Sequence, residues 1–215
     1  MTEHNHPHDT PHPGTAQNAE PGYYARRVRA LEAALVQKGV CTTSEVERAV
    51  HEMELRSPAD GGRVVARAWM DPGYKARLLA NGKPAVAEMG YDVTDDMPEL
   101  VVVENTDQLR YLVVCTLCSC YPRWLLGRPP DWYKSLSYRS RAVVEPRSVM
   151  AEFGLEVHPD TGVEVLDSTA DVRYLVIPQR PSGTDGLSED ELAKLVTRDS
   201  MVGAADALAP QLAAD

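Results

Sequence analysis

Apolar positions divide the chain into two kinds of pattern. Between Tyr23 and Lys38, Val28, Leu31, Leu35 and Val36 recur at helical spacing with Arg and Glu between them, and Gly39 marks the end. Ser44 and Glu47, three residues apart, offer a capping signature for a second helix running to about Leu55. Ser57-Pro58-Ala59-Asp60-Gly61-Gly62 reads as a break. Arg63 to Trp69 is apolar and predicts a helix, with a strand as the alternative. Asp71-Pro72 supplies an N-cap and a first-turn proline for a helix to Ala80, stopped at Asn81-Gly82. Pro84 to Met89 predicts one more short helix before Gly90.

From Leu100 the period shortens. Leu100–Asn105, Arg110–Thr116, Arg141–Val144, Gly162–Asp167 and Tyr174–Pro178 are short, rich in Val and Leu, and bounded by turn residues, which predicts strands. Two helices are expected among them: Pro146–Phe153, ending at Gly154, and Ser188–Arg198, opened by the capping pair Ser188 and Glu191. The order predicts an α+β protein in which a helical N-terminal arm precedes a layered α/β domain whose sheet is covered by helices. The expected division is a disordered His- and Pro-rich tail over 1–22, the arm over 23–62, the layered domain over 63–203, and a fraying, Ala-rich end over 204–215.

Composition narrows the function. The 215 residues carry a formal net charge of −10, with no basic stripe to neutralise phosphates, so nucleic acid is not an expected partner. No apolar run reaches the length of a membrane span, and the N-terminal segment lacks a secretory pattern, so a cytoplasmic location is the default. In that setting clustered cysteines read as a metal or redox site before they read as disulfides.

Three of the four cysteines fall within six residues, in Cys115-Thr116-Leu117-Cys118-Ser119-Cys120. Three thiols in one loop lack the fourth ligand of an ordinary zinc or iron–sulfur site unless a distant residue such as Cys41 supplies it. The single residue between Cys118 and Cys120 suggests another arrangement. Those two sulfurs and the deprotonated amide nitrogens of Ser119 and Cys120 would lie in one plane around a metal, with Cys115 capping it and one position open. Such amides require a strongly polarising trivalent, low-spin iron or cobalt ion. The open position would act as a Lewis acid or lower the pKa of a bound water. A structural metal knot or a cluster of inert buried thiols remains the plainer alternative. Cys41 reads as a small apolar residue between helices.

The cysteine block, followed by Tyr121-Pro122, Leu126-Gly127, Pro129-Pro130 and Trp132-Tyr133-Lys134, resembles the α subunit of nitrile hydratase. So do Ala68-Trp69, Asp71-Pro72, Tyr74-Lys75, Val103-Glu104-Asn105-Thr106, Tyr138-Arg139, Glu145-Pro146-Arg147, Pro178-Gln179-Arg180-Pro181 and Leu195-Val196-Thr197-Arg198. The resemblance covers roughly Arg27 to Gly203. It implies one Co(3+) per chain, the cobalt branch being indicated by Thr116. The implied ligands are Cys115, Cys118, Cys120 and the amides of Ser119 and Cys120, with Cys118 oxidised to sulfinate and Cys120 to sulfenate. It also implies hydration of a nitrile to its amide, with Cys120 and Ser119 catalytic. The expected partners are a β subunit, in one chain or split into two, and a metallochaperone or activator protein. Glu88 is a candidate to stand behind the metal ligands, or is simply a solvated helix residue.

The resemblance departs from its usual pattern after Pro122, where Arg123 and Trp124 replace the customary Trp and Pro. Both are candidates for substrate binding. An arginine here resembles the γ subunit of thiocyanate hydrolase, which converts thiocyanate to carbonyl sulfide and ammonia. A bulky heteroaromatic nitrile such as toyocamycin is a further candidate substrate, and contact of Arg123 with a partner or solvent is the plain alternative. The non-enzyme alternative is a metal-carrier chain, for which His4, His6, His8 and His12 would argue.

Overall fold

The computed structural model describes residues 22–210. Residues 1–21 of the predicted tail and 211–215 of the predicted frayed end lie outside them. The chain divides into two units, one ending at Leu55 and one beginning at Arg56. The first holds α1 (Tyr23–Gln37) and α2 (Thr43–Leu55). Thr42 rather than Ser44 caps α2: its N–H and hydroxyl donate to the Glu45 carboxylate at 2.7 and 2.8 Å. Neither helix contains a buried residue, and Val28, Leu31 and Leu35 of the apolar stripe are exposed. Cys41, in the turn between them, is half-buried.

The second unit opens with α3 (Pro58–Met70), α4 (Pro72–Ala80) and α5 (Gly82–Ala87). The expected break at 57–62 is instead the start of α3. Ser57 donates its N–H to the Asp60 carboxylate at 3.0 Å, which caps the helix. Gly61 and Gly62 serve packing here, not a turn. A Cβ on Gly61 would lie 2.2 Å from Leu126, and one on Gly62 would lie 2.8 Å from the Ala193 carbonyl. Asp71 ends α3 and caps α4, accepting from the Tyr74 N–H at 2.9 Å, as its sequence predicts.

The strands are β1 (Glu99–Glu104), β2 (Leu109–Val114), β3 (Gly162–Asp167) and β4 (Val172–Ile177). β1 pairs in parallel with β4, from Glu99 opposite Val172 to Glu104 opposite Ile177. β2 pairs in parallel with β3, from Leu109 opposite Gly162 to Val114 opposite Asp167. Parallel neighbours require a crossover. The one from β2 to β3 carries the cysteine block, α6 (Arg123–Leu126), α7 (Asp131–Lys134), α8 (Leu136–Val144) and α9 (Pro146–Glu152). The α+β reading therefore holds, with helices covering two parallel strand pairs. Leu112, Val113, Val114, Leu175, Val176 and Ile177 are essentially solvent-free and form the core with Val64, Val65, Leu78, Leu125 and Met150.

Two other expectations are corrected. Arg141–Val144 is the end of α8, not a strand. Tyr138 and Ala142, four residues apart, bury one face, while Arg141 pairs with Glu145 and Glu152 at 2.5 Å each. The predicted helix from Ser188 splits into α10 (Glu189–Ala193) and α11 (Arg198–Met201). The Ser188–Glu191 cap is present, and Thr197 caps a fresh start by accepting from the Ser200 N–H at 3.1 Å.

The residues after α11 close the free edge of β2, where the Val113 N–H donates to the Val202 carbonyl at 2.9 Å. Gly203 makes this approach possible. It has φ +79°, and a Cβ there would sit 1.8 Å from the Tyr111 carbonyl oxygen. Gly203→Ala is expected to cost more than about 2 kcal/mol of stability, read as a lowered midpoint in chemical denaturation. An unchanged midpoint would show that the edge closure is unimportant.

Candidate metal centre

β2 delivers the cysteines. Val114 ends the strand, fully buried, and Cys115 follows it at 1% exposure. The chain then leaves the sheet: Leu117 is 90% exposed, Cys118 exposed, and Cys120 half-buried. The sulfurs converge all the same. Cys115 Sγ lies 3.4 Å from Cys118 Sγ, which lies 3.2 Å from Cys120 Sγ, and all three are within 4.8 Å of one another. Among the described residues this is the one group of three or more His, Cys, Asp or Glu side chains able to hold a metal, and His158 of the same unit does not join it. None of the four cysteines is joined in a disulfide.

The loop has little regular structure of its own, so other elements fix it. At its start, three consecutive peptide planes are held. The Ser168 N–H donates to the Val114 carbonyl at 2.7 Å. Arg139, on α8, donates Nε to the Cys115 carbonyl at 3.0 Å and Nη2 to the Thr116 carbonyl at 2.6 Å. Asp167, at the end of β3, accepts from the Thr116 N–H at 2.9 Å and its hydroxyl at 2.6 Å. Just before the loop, the buried Tyr138 hydroxyl donates to the Val113 carbonyl at 2.6 Å, and at the far end the Tyr133 hydroxyl donates to the Cys120 carbonyl at 2.9 Å. Tyr133 and Tyr138 are both buried, and burial pushes their own ionisation above the ordinary tyrosine range.

The electrostatics separate the sulfurs. Hydrogen bonds from Cys120 and then Cys115 lower the pKa of Cys118, and the N–H groups of Ser119 and Cys120 act in the same direction. Cys120 is pushed up to about 12, first by burial and then by its neighbour Cys118, against the weaker opposing effect of Arg173 on β4.

The other candidate residues take different positions. Arg123 opens α6 and is exposed, its N–H donating to the Tyr121 carbonyl at 2.8 Å. Trp124 packs against the core, and its indole N–H is enclosed with no acceptor among the described residues. Glu88 holds Arg77 through both carboxylate oxygens at 2.8–3.2 Å, and this partner lowers its pKa. A cavity of about 250 Å³ beside it is lined by Arg67, Tyr74, Arg77, Met89 and Glu189 and by none of the cysteines. Sequence reasoning assigned no role to Tyr133, Tyr138, Arg139 or Asp167. Asp167 lies 47 residues beyond Cys120, and only parallel pairing of β2 with β3 brings it to the loop.

Fold and site together define an α+β chain that gathers three thiol sulfurs at the end of a buried parallel strand, the donor set of a soft-metal centre. The chain belongs to the family of the nitrile hydratase alpha chain, whose description matches residues 22–205. It is 50% identical over 180 residues to the cobalt-containing nitrile hydratase subunit alpha of Pseudonocardia thermophila, covering 82% of this chain and 87% of that one. It is 39% identical over 180 residues to thiocyanate hydrolase subunit gamma of Thiobacillus thioparus, covering 79% and 74%. A double mutant of the Fe-type nitrile hydratase from Comamonas testosteroni Ni1 superposes with a TM-score of 0.82 at 37% identity, over 92% of this chain and 96% of that one. No helix of the described residues is long and apolar enough to cross a membrane.

The order of thiol acidity has a direct readout. In metal-free protein, alkylation should modify Cys118 first, because a lowered pKa supplies thiolate at lower pH. Cys120, raised and half-buried, should react last. Peptide mass spectrometry across pH 6–9 checks this, and equal rates would contradict the assigned electrostatics.

Proposed function

We propose that this chain is the α subunit of a cobalt-dependent nitrile hydratase, acting in the cytoplasm with a β subunit and loaded by a metallochaperone or activator protein. The observation that carries the reading is the convergence of the Cys115, Cys118 and Cys120 sulfurs within 4.8 Å of one another. That donor set fits a trivalent ion that favours thiolate and deprotonated amide ligands. The ligands we assign are Cys115, Cys118, Cys120 and the amide nitrogens of Ser119 and Cys120. Cobalt bound there would supply a Lewis acid that opens a nitrile carbon to attack by water. Cys118 is assigned as sulfinate and Cys120 as sulfenate. Cys120 then offers an oxygen beside the substrate, and Ser119 hydrogen-bonds the oxidised sulfurs.

The exposure of Cys118 and Leu117 supports a site completed by a partner, since a water-excluding chamber needs walls that these residues leave open. The unburied apolar stripe of α1 and α2 supports the same partnership. Arg123 and Trp124 are assigned to the substrate side, and Glu88, through Arg77, to the support of the site.

One observation favours a second reading. Arg123 sets an exposed cation three residues after Cys120, which suits an anion such as thiocyanate. The higher identity to the cobalt nitrile hydratase subunit keeps nitriles first. Metal analysis and intact-mass spectrometry of the chain purified with its partner should find one cobalt and three added oxygens. Assay of the complex should show turnover of nitriles, bulky heteroaromatic ones included, that survives Arg123→Trp. Zinc with unmodified thiols would exclude the cobalt site. Thiocyanate turnover abolished selectively by Arg123→Trp would establish the second reading.

A further inference from the structure

We infer that Arg139 is a positioning residue for the metal centre, holding Cys115 in the orientation from which its sulfur reaches the ion; the inference rests on the cobalt reading above. Arg139 is half-buried on α8, and its guanidinium spans two successive carbonyls, those of Cys115 and Thr116, at 3.0 and 2.6 Å. The remaining polar group of the peptide between those residues, the Thr116 N–H, is held by Asp167. The carbonyl of the preceding peptide, at Val114, is held by Ser168. The planes on both sides of Cys115 are thus fixed, and with them the direction of its Cα–Cβ bond. The planar fork of an arginine suits two acceptors at once, whereas a lysine places a single point charge.

The other half of the loop is built differently. The Cys118 N–H donates to the Cys115 sulfur at 3.2 Å, and the sulfurs of Cys118 and Cys120 lie 3.2 Å apart. These contacts stay within the sulfur cluster, and Tyr133 ties this half to the fold at the Cys120 carbonyl. Arg139 thus fixes the Cys115 end of the loop. Its charge has a second effect. A centre of three sulfur anions and two amide anions around a trivalent ion is net negative, and a guanidinium on the carbonyl of Cys115 itself offsets that charge. Tyr138, the preceding residue, anchors the same helix to the Val113 carbonyl, so α8 is seated independently of Arg139.

The test compares wild type, Arg139→Met and Arg139→Lys, each produced with its partner under limiting cobalt. Assembly is followed by copurification and far-ultraviolet circular dichroism, cobalt per chain by elemental analysis, and the site by its sulfur-to-cobalt absorption. The expected result is an assembled Arg139→Met complex whose cobalt content falls roughly tenfold, with a shifted absorption band in the fraction that loads. Arg139→Lys should recover part of the cobalt but not the wild-type band. Wild-type cobalt and an unshifted band in assembled Arg139→Met would overturn the inference. If Arg139→Met fails to assemble, Arg139→Lys decides: a shifted band supports positioning, and wild-type values in both readouts refute it. A wild-type complex that takes up no cobalt overturns the cobalt reading itself, and this inference with it. A loaded wild type beside an unchanged Arg139→Met overturns the inference alone.

Discussion

Everything in this chain depends on holding three sulfurs together on six residues that form no helix or strand. Such a loop must draw its hydrogen bonds from elsewhere. Here they come from the end of the neighbouring strand, through Asp167 and Ser168, and from the crossover helices, through Tyr133, Tyr138 and Arg139. The register that sets Val114 opposite Asp167 is therefore as much a part of the centre as the cysteines. The parallel pairing demands a crossover, and the crossover carries the cysteines together with Tyr133, Tyr138 and Arg139, while Asp167 and Ser168 grip the loop from the end of β3.

The sulfurs divide into a buried anchor and an open pair. Cys115 is enclosed at the end of the core strand, whereas Cys118 and Cys120 stand where the chain has left the sheet. This arrangement suits a centre that is bound firmly on one side and presented to a substrate on the other. Membership of the nitrile hydratase alpha-chain family and the cysteine geometry support one another, because the matched region includes the loop and every element that positions it.

Local signals suffice where a cap or an apolar run is unambiguous. Asp71-Pro72 and the Ser188–Glu191 pair cap the helices they predict, and all four strands lie within two residues of their expected starts. Composition misleads where tertiary contacts outweigh it. Gly61-Gly62 resembles a turn, yet the glycines admit Leu126 and Ala193 against a helix. Arg141–Val144 resembles a strand, yet burial of Tyr138 and Ala142 on one face and the ion pairs of Arg141 make it helical. The cysteines themselves were legible from spacing. Arg139 and Asp167 were not, since neither belongs to any spacing pattern with the loop, and only the folded crossover brings them to it.

The most direct test of the account is X-ray absorption at the cobalt edge of the chain assembled with its partner. The expected result is a mixed set of three sulfur and two nitrogen neighbours, the nitrogens being those of Ser119 and Cys120. A shell of nitrogen and oxygen alone, or four ligands in a tetrahedron, would contradict it.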